Sequence, residues 1–356
     1  MGIIGLARVG KTTVFNAVTR GHVATGGYGP TEAHIGAVKL PDDRLERLSA
    51  HFKPKRTTPA ELRFLDFPGG FGRSEVEGPF IQALGRTDAL IHVVRAFANE
   101  AVPHPLGNVD PLRDIETMNM ELAFADLALL ERRLERLEPV VRSARGEERD
   151  AGEREIALLQ RLRHDLEAGT PLRAQALTGD EERAIFHYRF LTARPLLVLL
   201  NLGEESLAEA DKLEETVRAG LGPRMSLAFL CAELEMELGE LTEEEAAQFR
   251  SELGLPEGRQ QLLRLCREFL GLITFFTVNP EEARAWLVPQ GTTAVQGAGK
   301  VHSDMERGFI RAEVLSWEEM LRHGSMAEAR KHGALRLEGK NYIVHDGDIM
   351  HILFSV

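Results

Sequence analysis

Gly5-Leu6-Ala7-Arg8-Val9-Gly10-Lys11-Thr12 is the stretch that decides the fold. It matches the pattern G-x-x-x-x-G-K-[ST], and its neighbours give the match a mechanism. Ile3-Ile4 ends a short apolar strand, and Val14, Phe15, Ala17 and Val18 recur at helical spacing. Strand, Gly-rich loop and helix is the order that a phosphate-binding loop requires. The glycines let backbone N–H groups curl around phosphate oxygens, and the helix N-terminus adds a favourable dipole. Lys11 is then placed to reach β and γ phosphates and is a candidate catalytic group. The Thr12 hydroxyl is placed to face Mg²⁺.

Leu62-Arg63-Phe64-Leu65 reads as a second strand, ending in Asp66, and Asp66-Phe67-Pro68-Gly69 completes Asp-x-x-Gly. After a phosphate-binding loop, an Asp at a strand end holds Mg²⁺ and the Gly lets the loop approach the γ-phosphate. Between the two motifs lies Gly26-Gly27-Tyr28-Gly29-Pro30-Thr31, a Gly- and Pro-rich loop. Thr31 is the candidate second Mg²⁺ ligand; a solvated loop threonine is the bland alternative. Ala89–Val94, Pro195–Leu200 and Leu227–Leu230 are apolar runs without alternation, which suits a parallel sheet covered on both faces. The fold class is therefore α/β, built on a P-loop nucleotide-binding domain.

The run Leu196–Leu200 leads into Asn201-Leu202-Gly203-Glu204. In common GTPases this loop is Asn-Lys-x-Asp, whose Asp accepts hydrogen bonds from guanine N1–H and N2–H₂. Here Leu202 replaces Lys and Glu204 replaces Asp, while Asn201 can bond the Hoogsteen edge of either purine. The loop predicts that ATP binds at least as well as GTP. Cys231-Ala232-Glu233 follows a strand where backbone contacts to the base are usual.

Length and charge bound the rest. The chain has 356 residues, enough for two or three domains. No apolar run approaches the roughly 20 residues of a membrane span. The N-terminus shows no signal-peptide pattern. Cys231 and Cys266 are the only cysteines, which suits a reducing, cytoplasmic setting. A net charge of −12 makes the chain a poor general binder of phosphate backbones, so no DNA partner is expected.

Leu127, Leu130, Leu134, Leu137 and Val141 form a seam at three- and four-residue steps. Polar residues 143–153 break it, and Ile156, Leu159, Leu162 and Leu166 resume it. An antiparallel helical hairpin over residues 113–192 is expected, inserted in a nucleotide-binding domain of residues 1–112 and 193–268. Residues 271–356 read as a separate α+β domain. Its strands are expected at Leu272–Val278, Ala283–Val288, Arg311–Leu315, Tyr342–Val344 and His351–Val356, with a turn at Asp346-Gly347-Asp348. Arg330, Lys331, Arg336 and Lys340 could form an RNA-facing patch or be ordinary surface charge.

The whole chain resembles the YchF family, the Obg-like ATPases of the translation-associated GTPase class. The likeness rests on the P-loop, Asp66–Gly69, Asn201…Glu204 and the inserted hairpin. It rests equally on tail segments Gly271–Thr277, Val301–Asp304, Gly308–Ile310 and Gly339–Val344, which resemble the family's TGS domain, a β-grasp fold. The resemblance implies an Mg²⁺-dependent ATPase that tolerates GTP and associates with ribosomes (through the large subunit) or RNA. Arg8, Val9, Gly10, Lys11, Thr12 and Thr13 carry over as its nucleotide-contacting loop, and Thr12 and Thr31 as its Mg²⁺ positions. Two residues depart from the family. Arg8 stands where Asn is usual, and Gly70 stands at the apolar position that replaces the water-orienting Gln of GTPases. The family's substitute for that Gln is a mobile-loop histidine, matching His104 in Ala101-Val102-Pro103-His104-Pro105. Slow ATP hydrolysis is the leading expectation. A nucleotide-gated binding module with little turnover and a GTP-preferring ribosome-assembly GTPase are the alternatives.

Overall fold

The computed structural model describes residues 1–23, 33–67, 78–255 and 258–355. Thr31, Gly69 and Gly70 lie outside the described residues. So do the whole of the loops 26–31 and 69–74, and Val356 at the end of the expected last strand. The chain divides into two compact units, Met1–Gly36 with Phe64–Leu262, and Ala37–Arg63 with Leu263–Val356.

The first unit is built on β1 (Gly2–Ile4), β4 (Ala60–Asp66), β5 (Leu90–Ala96), β6 (Leu196–Leu202) and β7 (Met225–Leu230). With β2 (His34–Leu40) outermost, the sheet order is β2-β4-β1-β5-β6-β7. From β4 to β7 every pairing is parallel. All seven residues of β6 are buried, as expected of a strand covered on both faces. β1 is the short central strand, and helix Lys11–Thr19 follows it through the Gly-rich loop.

Two long helices, Pro111–Ser143 and Glu147–Glu167, form an arm within this unit. Asp110 caps the first by accepting the Arg113 N–H, and Pro111 occupies its first turn. Leu130, Leu134, Leu137 and Val141 pack against Leu159, Leu162 and Leu166. Arg133 pairs with Glu155 at 2.8 Å and Gly152 sits against Val141, so the helices run antiparallel. The break is shorter than the polar run suggested: the second helix begins at Glu147 rather than after residue 153. Asp126 roots the arm by accepting hydrogen bonds from the Leu191 and Thr192 N–H groups and the Thr192 hydroxyl. Burial pushes its carboxyl up to about 6, against those bonds.

The second unit carries β3 (Arg56–Thr58), β8 (Leu272–Val278), β9 (Glu282–Pro289), β10 (Phe309–Ser316), β11 (Arg336–Glu338) and β12 (Asp348–Phe354). The order is β11-β10-β12-β8-β9-β3. The β8–β9 hairpin is antiparallel and β12 returns parallel to β8. Helix Ala294–Val301 seats Ala294 and Ala298 in a core with Phe275, Ala312, Val314 and Ile352. This hairpin, helix and returning strand are a β-grasp layout.

Three expectations change here. Residues 37–63, the end of β2 and the start of β4 included, group with this unit rather than the nucleotide-binding unit, and within it β3 pairs in parallel with β9. Tyr342–Val344 is not a strand: only Ile343 makes a bridge, to Thr293, while Val344 turns into the core. The partner of β10 on that side is β11, which the sequence reading missed, and Asp348 begins β12 instead of ending a turn. Among the described residues, no helix is long and apolar enough to cross a membrane.

Candidate functional site

The Gly-rich loop needs glycine at both ends for different reasons. A Cβ on Gly5 would lie 2.5 Å from the Val93 carbonyl oxygen. Gly10 has φ +92°, and a Cβ there would lie 2.4 Å from Asn201 Nδ2. Helix Lys11–Thr19 then starts with no side-chain cap and no acidic residue in its first turn. Its free N–H groups and positive dipole end are left to an anion.

Lys11 Nζ donates to the carbonyls of Gly5 (3.1 Å) and Leu6 (2.9 Å). Burial lowers its pKa to about 8, partly offset by Asp66. The Thr12 hydroxyl donates to Asp66 Oδ2 at 2.8 Å. Burial raises the Asp66 pKa against the Thr12 bond and Lys11. Its other oxygen, Oδ1, is buried and has no hydrogen-bond partner among the described residues. A hydroxyl, a carboxylate and an orphaned carboxylate oxygen form an oxygen-only donor set that suits Mg²⁺. Among the described residues no cluster of three His, Cys, Asp or Glu gathers as a separate metal site. Val9 is buried, Thr13 is partly buried, and Arg8 is exposed with φ +62°.

Asn201 reaches back across 192 residues to this loop. Its Nδ2 donates to the Val9 carbonyl at 3.0 Å, and its Oδ1 accepts the Ala232 N–H at 3.3 Å. Asn201 therefore clips the Gly-rich loop to the end of β6 and to the start of helix Ala232–Gly239. The Leu202 side chain is buried in the core, so only its backbone can face a ligand. Glu204 is exposed, as is Glu233, whereas Cys231 and Ala232 are buried. Burial pushes the Cys231 thiol up.

His104 does not face solvent. It is buried, and its Nδ1 accepts the Leu106 N–H at 3.2 Å. Its Nε2 lies 2.9 Å from Asp114 Oδ2, although the alignment falls short of a hydrogen bond. Asp114 is itself buried and paired with Arg113 at 2.8 Å. The sequence reading missed Asp114; its signal is its place in the first turn after the Asp110 cap. Three of the four basic residues that the sequence reads as either an RNA-facing patch or ordinary surface charge have carboxylate partners. Arg330 pairs with Glu313, Lys331 with Glu328, and Arg336 with Asp348.

A Gly-rich loop between β1 and an uncapped helix, with Lys11, Thr12 and Asp66 converging there, defines a P-loop nucleoside triphosphatase. The chain is 38% identical to the ribosome-binding ATPase YchF of Bacillus subtilis, covering 100% of this chain and 99% of that protein. It belongs to the YchF family. The Escherichia coli O157:H7 protein of the same name is also 38% identical, over 362 residues. The structure of the Schizosaccharomyces pombe YchF GTPase matches with a TM-score of 0.84 at 29% identity, covering 99% of this chain and 97% of that one. A family model named YchF-GTPase_C, described as a protein of unknown function, matches residues 272–355.

Proposed function

We propose that this chain is an Mg²⁺-dependent ATPase that also accepts GTP, and that the bound nucleotide controls its association with ribosomes. The observation that carries the reading is the convergence of Lys11, the Thr12–Asp66 pair and the Asn201 clip at the C-terminal edge of one parallel sheet. Ligands of open α/β sheets sit at that edge. Thr12 and Asp66 would hold Mg²⁺, which when bound neutralises charge on the β and γ oxygens. Thr31 is proposed as the second protein ligand. Lys11, with its lowered pKa, stays mostly charged at neutral pH and binds the same phosphates.

Base preference falls to the backbone of Leu202 and to the exposed Glu204, Cys231–Glu233 flanking them. With no Lys over the base and a longer acid than Asp, ATP is favoured at least equally. Hydrolysis is slow because Gly70 cannot position water. His104 is the proposed substitute, and it must leave Asp114 and Leu106 to act. The arm (113–192) and tail (271–356) are the proposed contacts to the large ribosomal subunit or to RNA. The relatives' shared name, ribosome-binding ATPase, supports that partner.

Three measurements test this reading. Competition binding of ATP and GTP should show no GTP preference above about tenfold, or ~1.4 kcal/mol. Ribosome pelleting in ATP, ADP and no nucleotide should differ; nucleotide-independent pelleting counts against switching. His104→Ala should leave ATP affinity intact and lower turnover, and unchanged turnover removes His104 from the reaction.

A further inference from the structure

Arg95 is a cation inside an apolar strand. It is 1% exposed, and no carboxylate pairs with it among the described residues. Each of its three guanidinium nitrogens donates to a single segment of backbone. Nε donates to the Phe97 carbonyl (3.1 Å), Nη1 to Val102 (2.8 Å) and Nη2 to Asn99 (3.3 Å). The same guanidinium lies over the Phe97 ring, 4.5 Å from its centroid. The segment also braces itself: Val102 N–H donates to the Asn99 carbonyl and Ala101 N–H to Asn99 Oδ1. Residues 97–102 are thus wound around one planar fork of donors, a geometry that lysine cannot reproduce.

The strand register says where that segment emerges. Arg95 pairs with Asn201 and Ala96 with Leu202 across β5–β6, while β1 flanks β5 on its other side through Ile4 and His92. Residues 97–102 therefore leave the sheet at its C-terminal edge, between the Gly-rich loop after β1 and the Asn201–Glu204 loop after β6. A buried charge costs more desolvation than an apolar side chain of similar volume. What Arg95 adds in return is a fixed path for the backbone beside the nucleoside half of the site.

We infer that Arg95 is a positioning residue for nucleoside binding, holding residues 97–102 against the Asn201–Glu204 side of the site. This rests on the nucleotide reading above. The phosphates are held by the Gly-rich loop and the nucleoside by its neighbours, so the two halves are separable. Calorimetric titration of the full chain with Mg·ATP and with Mg·tripolyphosphate separates them. Arg95→Lys should weaken ATP about tenfold or more while leaving tripolyphosphate within about twofold. Asn99→Gly, at an exposed position, loosens the same segment without touching the core and should act in the same direction more weakly. Equal losses for both ligands in Asn99→Gly would make the role one of general stability and overturn the inference. No loss for either ligand in either variant would also overturn it. A wild-type chain that binds tripolyphosphate but not ATP would instead refute the nucleotide reading itself.

Discussion

Removing the Asn201 amide tests whether the Gly-rich loop stands by itself. In Asn201→Ala the Val9 carbonyl loses its donor and the Ala232 N–H loses its acceptor. Val9 is 1% exposed and Ala232 0%, so water cannot replace either partner without opening the structure. An unsatisfied buried group costs about 1–3 kcal/mol, which gives about 2–6 kcal/mol for the two together. If ~3 kcal/mol of that falls on the bound conformation of the loop, phosphate affinity drops about 100-fold. The loss should appear for tripolyphosphate, ATP and GTP alike, because the broken bonds hold the loop and not the base. Asn201→Asp keeps an acceptor for Ala232 but sets a carboxylate oxygen against the Val9 carbonyl, so it should be no better. Titration with the three ligands reads the affinities, and hydrogen exchange at the Ala232 amide reads the clip directly. The reasoning is refuted if tripolyphosphate binds as in the wild type while ATP alone weakens. Asn201 would then read the base, and the loop would not depend on it.

The pH profile of binding should follow Lys11, whose pKa burial lowers to about 8. Bound phosphate favours the charged form, so the value in the complex is higher than in the free chain. Affinity is therefore flat below about pH 8 and falls by up to about tenfold per pH unit above it. Lys11→Ala should bind weakly and lack that slope; a flat wild-type profile from pH 7 to 10 sinks the assignment. Arg8 holds φ +62°, a conformation that asparagine adopts more readily than arginine. Arg8→Asn should raise the free energy of unfolding in urea by about 0.5 kcal/mol, and a lowered value would show that the arginine side chain contributes to stability. On the arm, a Cβ on Gly152 would lie 2.3 Å from Val141 Cγ2. Gly152→Ala should cost about 1–3 kcal/mol locally, seen as faster proteolysis between the arm helices with ATP affinity unchanged. Val141→Ala in the same chain should restore resistance, and purely additive effects would place the strain elsewhere.

The parts of the fold legible in sequence were those set by local patterns. The Gly-rich loop, the apolar strands β5 and β6 and the leucine seam of the arm each carry their signal within a dozen residues. Residues 37–63 do not. Helix Asp43–Phe52 carries its own cap at Asp42, but nothing local says which sheet it serves. That is decided by the pairing of β3 with β9, more than two hundred residues away. Tyr342–Val344 misleads for the opposite reason. Its composition suits a strand, yet the Tyr342 hydroxyl bonds Asp348 and Val344 enters the core, so the chain crosses instead of pairing.

The site divides along the same line. Lys11, Thr12 and Asp66 are found by motif because their side chains face a ligand whose chemistry is known in advance. Asn201, Arg95 and His104 act first on this chain's own backbone, and spacing does not reveal that. Asn201 holds Val9, Arg95 holds residues 97–102, and Leu106 with Asp114 holds His104. Arg95 and Asn201 are register partners on adjacent strands, so the two backbone anchors share one edge of the sheet. His104 lies two residues beyond Val102, the last carbonyl that Arg95 holds. A group tethered at both ends in this way acts on water only when the tether opens. If His104 is the proposed water-positioning group, turnover is set by the release of residues 103–106 from Leu106 and Asp114, and affinity by the anchors that stay closed. Substitutions at Asp114 should accordingly change turnover more than ATP affinity, whereas substitutions at Arg95 should do the reverse.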